Sequence, residues 1–147
     1  MGTYLIVANQ TVGGRELLEH VQRLVAADEP CRFHFVVPAT PPHEHLVWTE
    51  GEAHAIAEQR LQLGVDRLRA IGVEATGEVG DKSPVLAVGD ALRSVDADGV
   101  ILTTLPAGLS RWLKMSLPER LERRFDLPVT HFETEPEPSE HEDAAMP

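Results

Sequence analysis

Ser110, Arg111 and Ser116 sit in a Pro/Gly-containing stretch that follows the apolar run Val100-Ile101-Leu102 and leads to Leu117-Pro118-Glu119. Hydroxyls, a guanidinium and Gly108 placed after a buried strand and before a helix are groups suited to holding an anion. Residues 99–129 carry Arg111, Lys114, Arg120, Arg123 and Arg124 against Glu119, Glu122 and Asp126, a local net of +2 in a chain of net charge −11. Arg120, Arg123 and Arg124 fit a solvated helix face with pairs such as Glu119–Arg123. Arg111 and Lys114 precede the helix and are the better anion contacts. A second polar stretch, Asn9-Gln10-Thr11-Val12-Gly13-Gly14, follows the apolar run Tyr4–Ala8. Its side-chain donors and glycines suit either a ribose or phosphate contact, or the entry to a helix.

Other chemistries find little support. No Gly-Lys-Ser/Thr phosphate loop, Gly-x-Gly-x-x-Gly turn or Gly-x-Ser-x-Gly nucleophile elbow occurs. The first apolar run ends in Asn9 rather than in the acidic cluster of a magnesium-dependent phosphotransfer site. His43, His45 and the nearby His54 lack the helical i,i+4 spacing that fixes two imidazoles on a metal, and read as surface histidines. His34 reads as a hydrogen-bonded strand residue, and His131 is given no role. No base, nucleophile or metal set converges, so the sequence is that of a non-catalytic module with no metal.

The elements that must position the anion-binding groups follow from periodicity. Continuous apolar runs at 4–8, 33–37 and 100–102 fit strands covered on both faces; Val73–Val79 and Pro128–Phe132 are weaker strands, the former toward one side of the sheet. Between them lie helical stripes: Leu17, Leu18, Val21, Leu24 and Val25; then Ala57, Leu61, Gly64, Leu68 and Ile71; then Val85, Val88, Ala91 and Leu92; then Leu117, Leu121 and Phe125. Thr49 with Glu52, and Ser116 with Glu119, have capping-box spacing; Ser83-Pro84 opens the third helix, and Gly72 closes the second. Strict alternation predicts a single α/β, Rossmann-like domain over residues 1–133, a five-stranded mainly parallel sheet with about four helices on both faces. Ligands of such folds sit at the C-terminal ends of the strands.

The 147 residues suit one such domain, and 42% of them are hydrophobic. Residues 133–147 hold Glu133, Glu135, Glu137, Glu140, Glu142 and Asp143 without Lys or Arg, leaving −5 for the rest, so 134–147 read as an acidic, disordered tail. The acidity argues against nucleic acid as a partner. No apolar run approaches the roughly 20 residues of a membrane span. The opening Met1-Gly2-Thr3-Tyr4-Leu5 has no signal-peptide pattern, and the single Cys31, beside an apolar run, fits a small core residue in a reducing compartment. The expected location is the cytoplasm.

Four features together resemble the universal stress protein family across residues 3–133. They are strand one running Ile6-Val7-Ala8 into a polar turn, the strand Phe33-His34-Phe35-Val36-Val37, the helix entry Glu78-Val79-Gly80-Asp81 with Pro84, and the run from Gly108-Leu109-Ser110-Arg111-Trp112-Leu113 through Ser116 and Glu119-Arg120-Leu121 to Leu127-Pro128-Val129. The resemblance implies a homodimer through the last strand (128–132) and, in one branch of the family, ATP binding. That branch carries G-x2-G-x9-G-[S/T]; here the glycine positions fall on Leu102, Leu105 and Met115, with Ser116 retained, and the family's aspartate after strand one falls on Asn9. The nucleotide-contacting set transferred to this chain is Ala8, Asn9, Thr11, Val37, Gly80, Thr104, Gly108, Ser110, Arg111 and Ser116, with adenine near Val37 and phosphates near Gly108, Ser110, Arg111 and Ser116. The expected function is a stress-response module sensing ATP, another adenine nucleotide or a smaller anion. A ligand-free dimeric regulatory module is the alternative, and a weak nucleotide hydrolase ranks last.

Overall fold

The computed structural model describes residues 2–9, 11–12, 14–27, 31–40, 49–106 and 110–134. Strands β1 (Gly2–Val7), β2 (Cys31–Pro38), β3 (Glu74–Gly80), β4 (Gly99–Thr104) and β5 (Val129–Glu133) alternate with helices α1 (Arg15–Ala26), α2 (Glu50–Ala70), α3 (Pro84–Leu92), α4 (Arg111–Lys114) and α5 (Leu117–Phe125). They form one sheet of order β3-β2-β1-β4-β5, parallel throughout. β1 lies in its centre, with Leu5 beside both His34 and Val100.

The three apolar runs are the three inner strands, as two-sided burial requires. On one face Ile6, Phe33, Phe35 and Ile101 meet Leu17 and Val21 of α1 and Ala57, Val65 and Leu68 of α2. On the other, Leu5, Val7, Val36, Val100 and Leu102 meet Ala87, Val88 and Ala91 of α3, Trp112, and Leu117 and Leu121 of α5. Val25 and Ile71, expected inward, are 42% and 39% exposed; Val25 lies in the last turn of α1, and Ile71 is the cap residue that follows α2.

Thr49 caps α2 by accepting from the Glu52 N–H at 3.0 Å, and Ser83 accepts from the Leu86 N–H at 3.5 Å. Gly72 closes α2 at φ +81°, a conformation that costs glycine little. Ser116 departs from expectation. It adopts a left-handed conformation, φ 55°, and its side chain makes no capping bond to α5. The cap is placed earlier: Ser110 Oγ accepts from the Leu113 N–H at 3.2 Å and starts the one-turn α4. Trp112 and Leu117 are both buried, and the kink at Ser116 lets the chain turn both toward the same core.

Candidate functional site

The chain runs outward from β1 to β2 and β3, then crosses back through α3 to β4 on the other side of β1. The strand order therefore reverses between β1 and β4, and the crevice at their C-terminal ends is where such sheets take ligands. Here Thr11 and Thr103 meet, hydroxyl to hydroxyl, at 2.6 Å, each almost fully buried. The pair ties the loop after β1 to the end of β4. Thr103→Val would leave the Thr11 hydroxyl buried without this partner, and is expected to cost about 1–3 kcal/mol in urea unfolding, while Thr103→Ser should cost less.

Asn9 is held on two sides. Its amide nitrogen donates to the Pro38 carbonyl at 2.7 Å, and its side-chain oxygen accepts from Arg60 of α2. This one residue joins β1, β2 and α2, and its polar atoms point into the protein.

The other expected contacts divide by what they touch. Ala8 and Val37 are fully buried in the core. Gly80 is required for packing: a Cβ there would lie 2.5 Å from that of Ala87, so its absence lets α3 close on β3. Thr104 Oγ1 lies 2.8 Å from His131 Nε2 and 2.9 Å from the Leu105 carbonyl. Ser110 is buried at the α4 cap, Arg111 opens that helix, and Ser116 is exposed. Gly108 and the His43–His45 stretch lie outside the described residues. Of the three positions that carry glycine in the ATP-binding pattern, Leu102 is a fully buried strand residue and Met115 is 40% exposed. The structure thus brings Asn9, Thr11, Thr104 and Ser110 to one end of the sheet, and each has a hydrogen bond within the chain.

One neighbour of the crevice carries no sequence signal. Thr134, just past β5, is buried; its N–H donates to the Thr104 carbonyl at 2.9 Å and its hydroxyl donates to the Glu16 carboxylate. A Cβ on Gly14 would come within 2.9 Å of the Thr134 methyl, so Gly14 lets the chain cross there. The Thr134 hydroxyl first, then the backbone bond at Glu16, hold this carboxyl below its usual range. One turn on, burial and then Arg23 push the His20 imidazole below its usual range. Its ring lies 4.9 Å from that of Phe132.

Both shifts have the same sign. In each case the folded state binds fewer protons than the unfolded chain, so stability is full above the unfolded value and falls as pH drops. The loss should begin below about 6.5 through His20 and continue below about 4.5 through Glu16. Urea midpoints measured across this range should show His20→Leu flattening the upper part and Glu16→Gln the lower.

Among the described residues no group of three or more His, Cys, Asp or Glu side chains is placed to hold a metal, and no helix is long and apolar enough to cross a membrane. His54 lies 3.5 Å from Glu58 on the exposed face of α2. Cys31 is partly buried against the core, its thiol 3.9 Å from the Leu24 carbonyl. His34 makes two side-chain bonds, with Thr76 Oγ1 at 2.8 Å and Glu78 Oε2 at 2.7 Å. This constellation escaped sequence reasoning, although positions 76 and 78 share a strand face by period two.

A five-stranded parallel sheet with helices on both faces and its reversal point beside β1 defines a Rossmann-like α/β domain. More particularly, the chain has the universal stress protein fold. It matches a universal stress protein family structure from Burkholderia pseudomallei with a TM-score of 0.58 and 16% identity, over 89% of this chain and 95% of that one. A universal stress protein from Archaeoglobus fulgidus matches with a TM-score of 0.62 and 15% identity, over 89% and 93%. A universal stress protein in complex with cAMP matches with a TM-score of 0.56 and 21% identity, over 91% and 98%. No protein-family model and no curated protein matches the sequence.

Proposed function

We propose that this chain is a cytoplasmic stress-response module that takes an adenine nucleotide, without chemistry on it, at the C-terminal ends of β1 and β4 and pairs with a second copy through β5. The observation that carries this reading is the shared fold, whose solved examples include a cAMP complex. A single phosphodiester suits this chain better than a triphosphate. Leu102 and Leu105 fill positions where glycine would let backbone approach a longer phosphate chain, and the stretch around Ser110 and Arg111 offers a hydroxyl and a guanidinium for a short anion. The single cysteine supports a reducing compartment. Among the described residues β5 is an outermost strand with no neighbour on its outer edge, and such an edge can accept a second strand.

Thermal shift and calorimetry with ATP, ADP, AMP and cyclic AMP test the ligand. A nucleotide present at a hundred times its dissociation constant should stabilise the chain by about 2.7 kcal/mol, and Arg111→Ala should reduce that gain. No shift with any of them at millimolar concentration would sink the nucleotide reading. The ligand-free dimer would then stand, favoured by the internal bonds of Asn9, Thr11 and Thr104. A monomeric mass in solution would count against pairing through β5.

A further inference from the structure

The opposite end of the sheet holds a second arrangement of groups. α3 has 9 residues and reaches about 14 Å along the sheet, whereas β2 has 8 and extends about 26 Å. The helix starts at the C-terminal ends of the strands and stops at Leu92. Among the described residues the lower part of β2 and β3 is left open on that face. A groove of about 350 Å³ opens there, between Arg32, His34 and Thr76 on the strands and Ser94 and Asp96 after α3. That volume is within the range of small-molecule sites.

His34 stands in the wall of this groove with 14% of its side chain exposed, fixed on both nitrogens. In the neutral imidazole the Glu78 carboxylate, which only accepts, places the proton on His34 Nε2 and leaves Nδ1 as an acceptor. The Thr76 hydroxyl therefore donates to Nδ1, with its oxygen beside the groove. Hydroxyl, imidazole and carboxylate stand in the order of a nucleophile, its base and the group that orients the base.

We propose that Glu78, His34 and Thr76 form an acyl-transfer site for small esters without negative charge. Thr76 Oγ attacks the ester carbonyl while its proton passes to His34 Nδ1. His34 returns that proton to the departing alcohol, leaving an ester on Thr76. Water, deprotonated by the same nitrogen, attacks this ester; the acid departs and the hydroxyl is restored. Thr76 and His34 are catalytic residues, and Glu78 is a positioning residue. Glu74 and Asp96 around the groove disfavour anionic acyl donors, since the nearby cation, Arg32, is engaged by Glu74 at 3.2 Å.

Incubating the full chain with p-nitrophenyl acetate tests the site. The expected result is a burst of nitrophenolate of one equivalent per chain, with the acetyl group mapped by mass spectrometry to the peptide containing Thr76. Thr76→Val and His34→Gln should lower the burst rate by about a hundredfold, while Thr76→Ser keeps it. Glu78→Gln should lower kcat with KM unchanged and the circular dichroism spectrum intact. Acetylation confined to lysines or the amino terminus, at a rate unchanged in Thr76→Val, would overturn the proposal. Should Thr76→Val fail to fold, an unmodified Thr76 peptide in the wild-type and Thr76→Ser chains overturns it equally.

Discussion

Phe35→Ala is expected to lower the unfolding free energy by about 3–5 kcal/mol. Phe35 is fully buried on β2, under α2. Gly64 supplies the space for its ring: a Cβ on Gly64 would lie 2.9 Å from the Phe35 Cζ. Alanine leaves that volume empty, and the neighbouring helix backbone is not free to collapse into it. Gly64→Ala alone sets the helical preference for alanine, about 1 kcal/mol, against the clash with the ring. In the Phe35→Ala background the clash is gone and the new methyl fills part of the void. The double variant should therefore be more stable than the sum of the two changes, with a coupling of about 1–2 kcal/mol in a double-mutant cycle. Additive effects would show that α2 moves to accommodate each change separately.

Asn9→Ala is expected to cost about 2–3 kcal/mol, counting one bond to the Pro38 carbonyl and one to the charged Arg60. The carbonyl would remain at the end of β2 without that donor, and α2 would lose its tie to β1. Asn9→Asp separates the two contacts. The carboxylate keeps the partner on Arg60 but faces the Pro38 carbonyl with an acceptor, so it should also destabilise. Equilibrium unfolding in urea reads both. An Asn9→Asp chain as stable as wild type would show that the strengthened Arg60 contact offsets the lost Pro38 bond, and would remove this explanation for an amide at the end of β1.

The sequence made the sheet legible where burial was two-sided. Tyr4–Ala8, Phe33–Val37 and Val100–Leu102 leave few alternatives to inner strands, and Thr49, Gly72 and Ser83-Pro84 mark helix ends by backbone chemistry that acts within a few residues. The choice between Ser110 and Ser116 as a cap was less legible. Both stand before a helical turn, and the outcome depends on Trp112 and Leu117 reaching one core, which no local rule encodes. The site was harder still. Asn9 meets Arg60, and His34 meets Thr76 and Glu78, across separations of 51, 42 and 44 residues. Such pairings follow from strand register and helix placement, not from spacing along the chain. Thr134 is the extreme case: 118 residues separate it from Glu16.

The central place of β1 also orders events during synthesis. β1, β2 and β3 pair among themselves through connections that leave the ribosome first, so three of the five strands and much of the α1–α2 side can assemble early. β4 joins only when Val100 reaches Leu5, a closure of 95 residues. Until α5 emerges, Leu5, Val7 and Val36 lack Leu117 and Leu121 above them. The nascent chain therefore passes through a stage with one apolar face largely covered and the other open, the stage at which a chaperone would have most to hold.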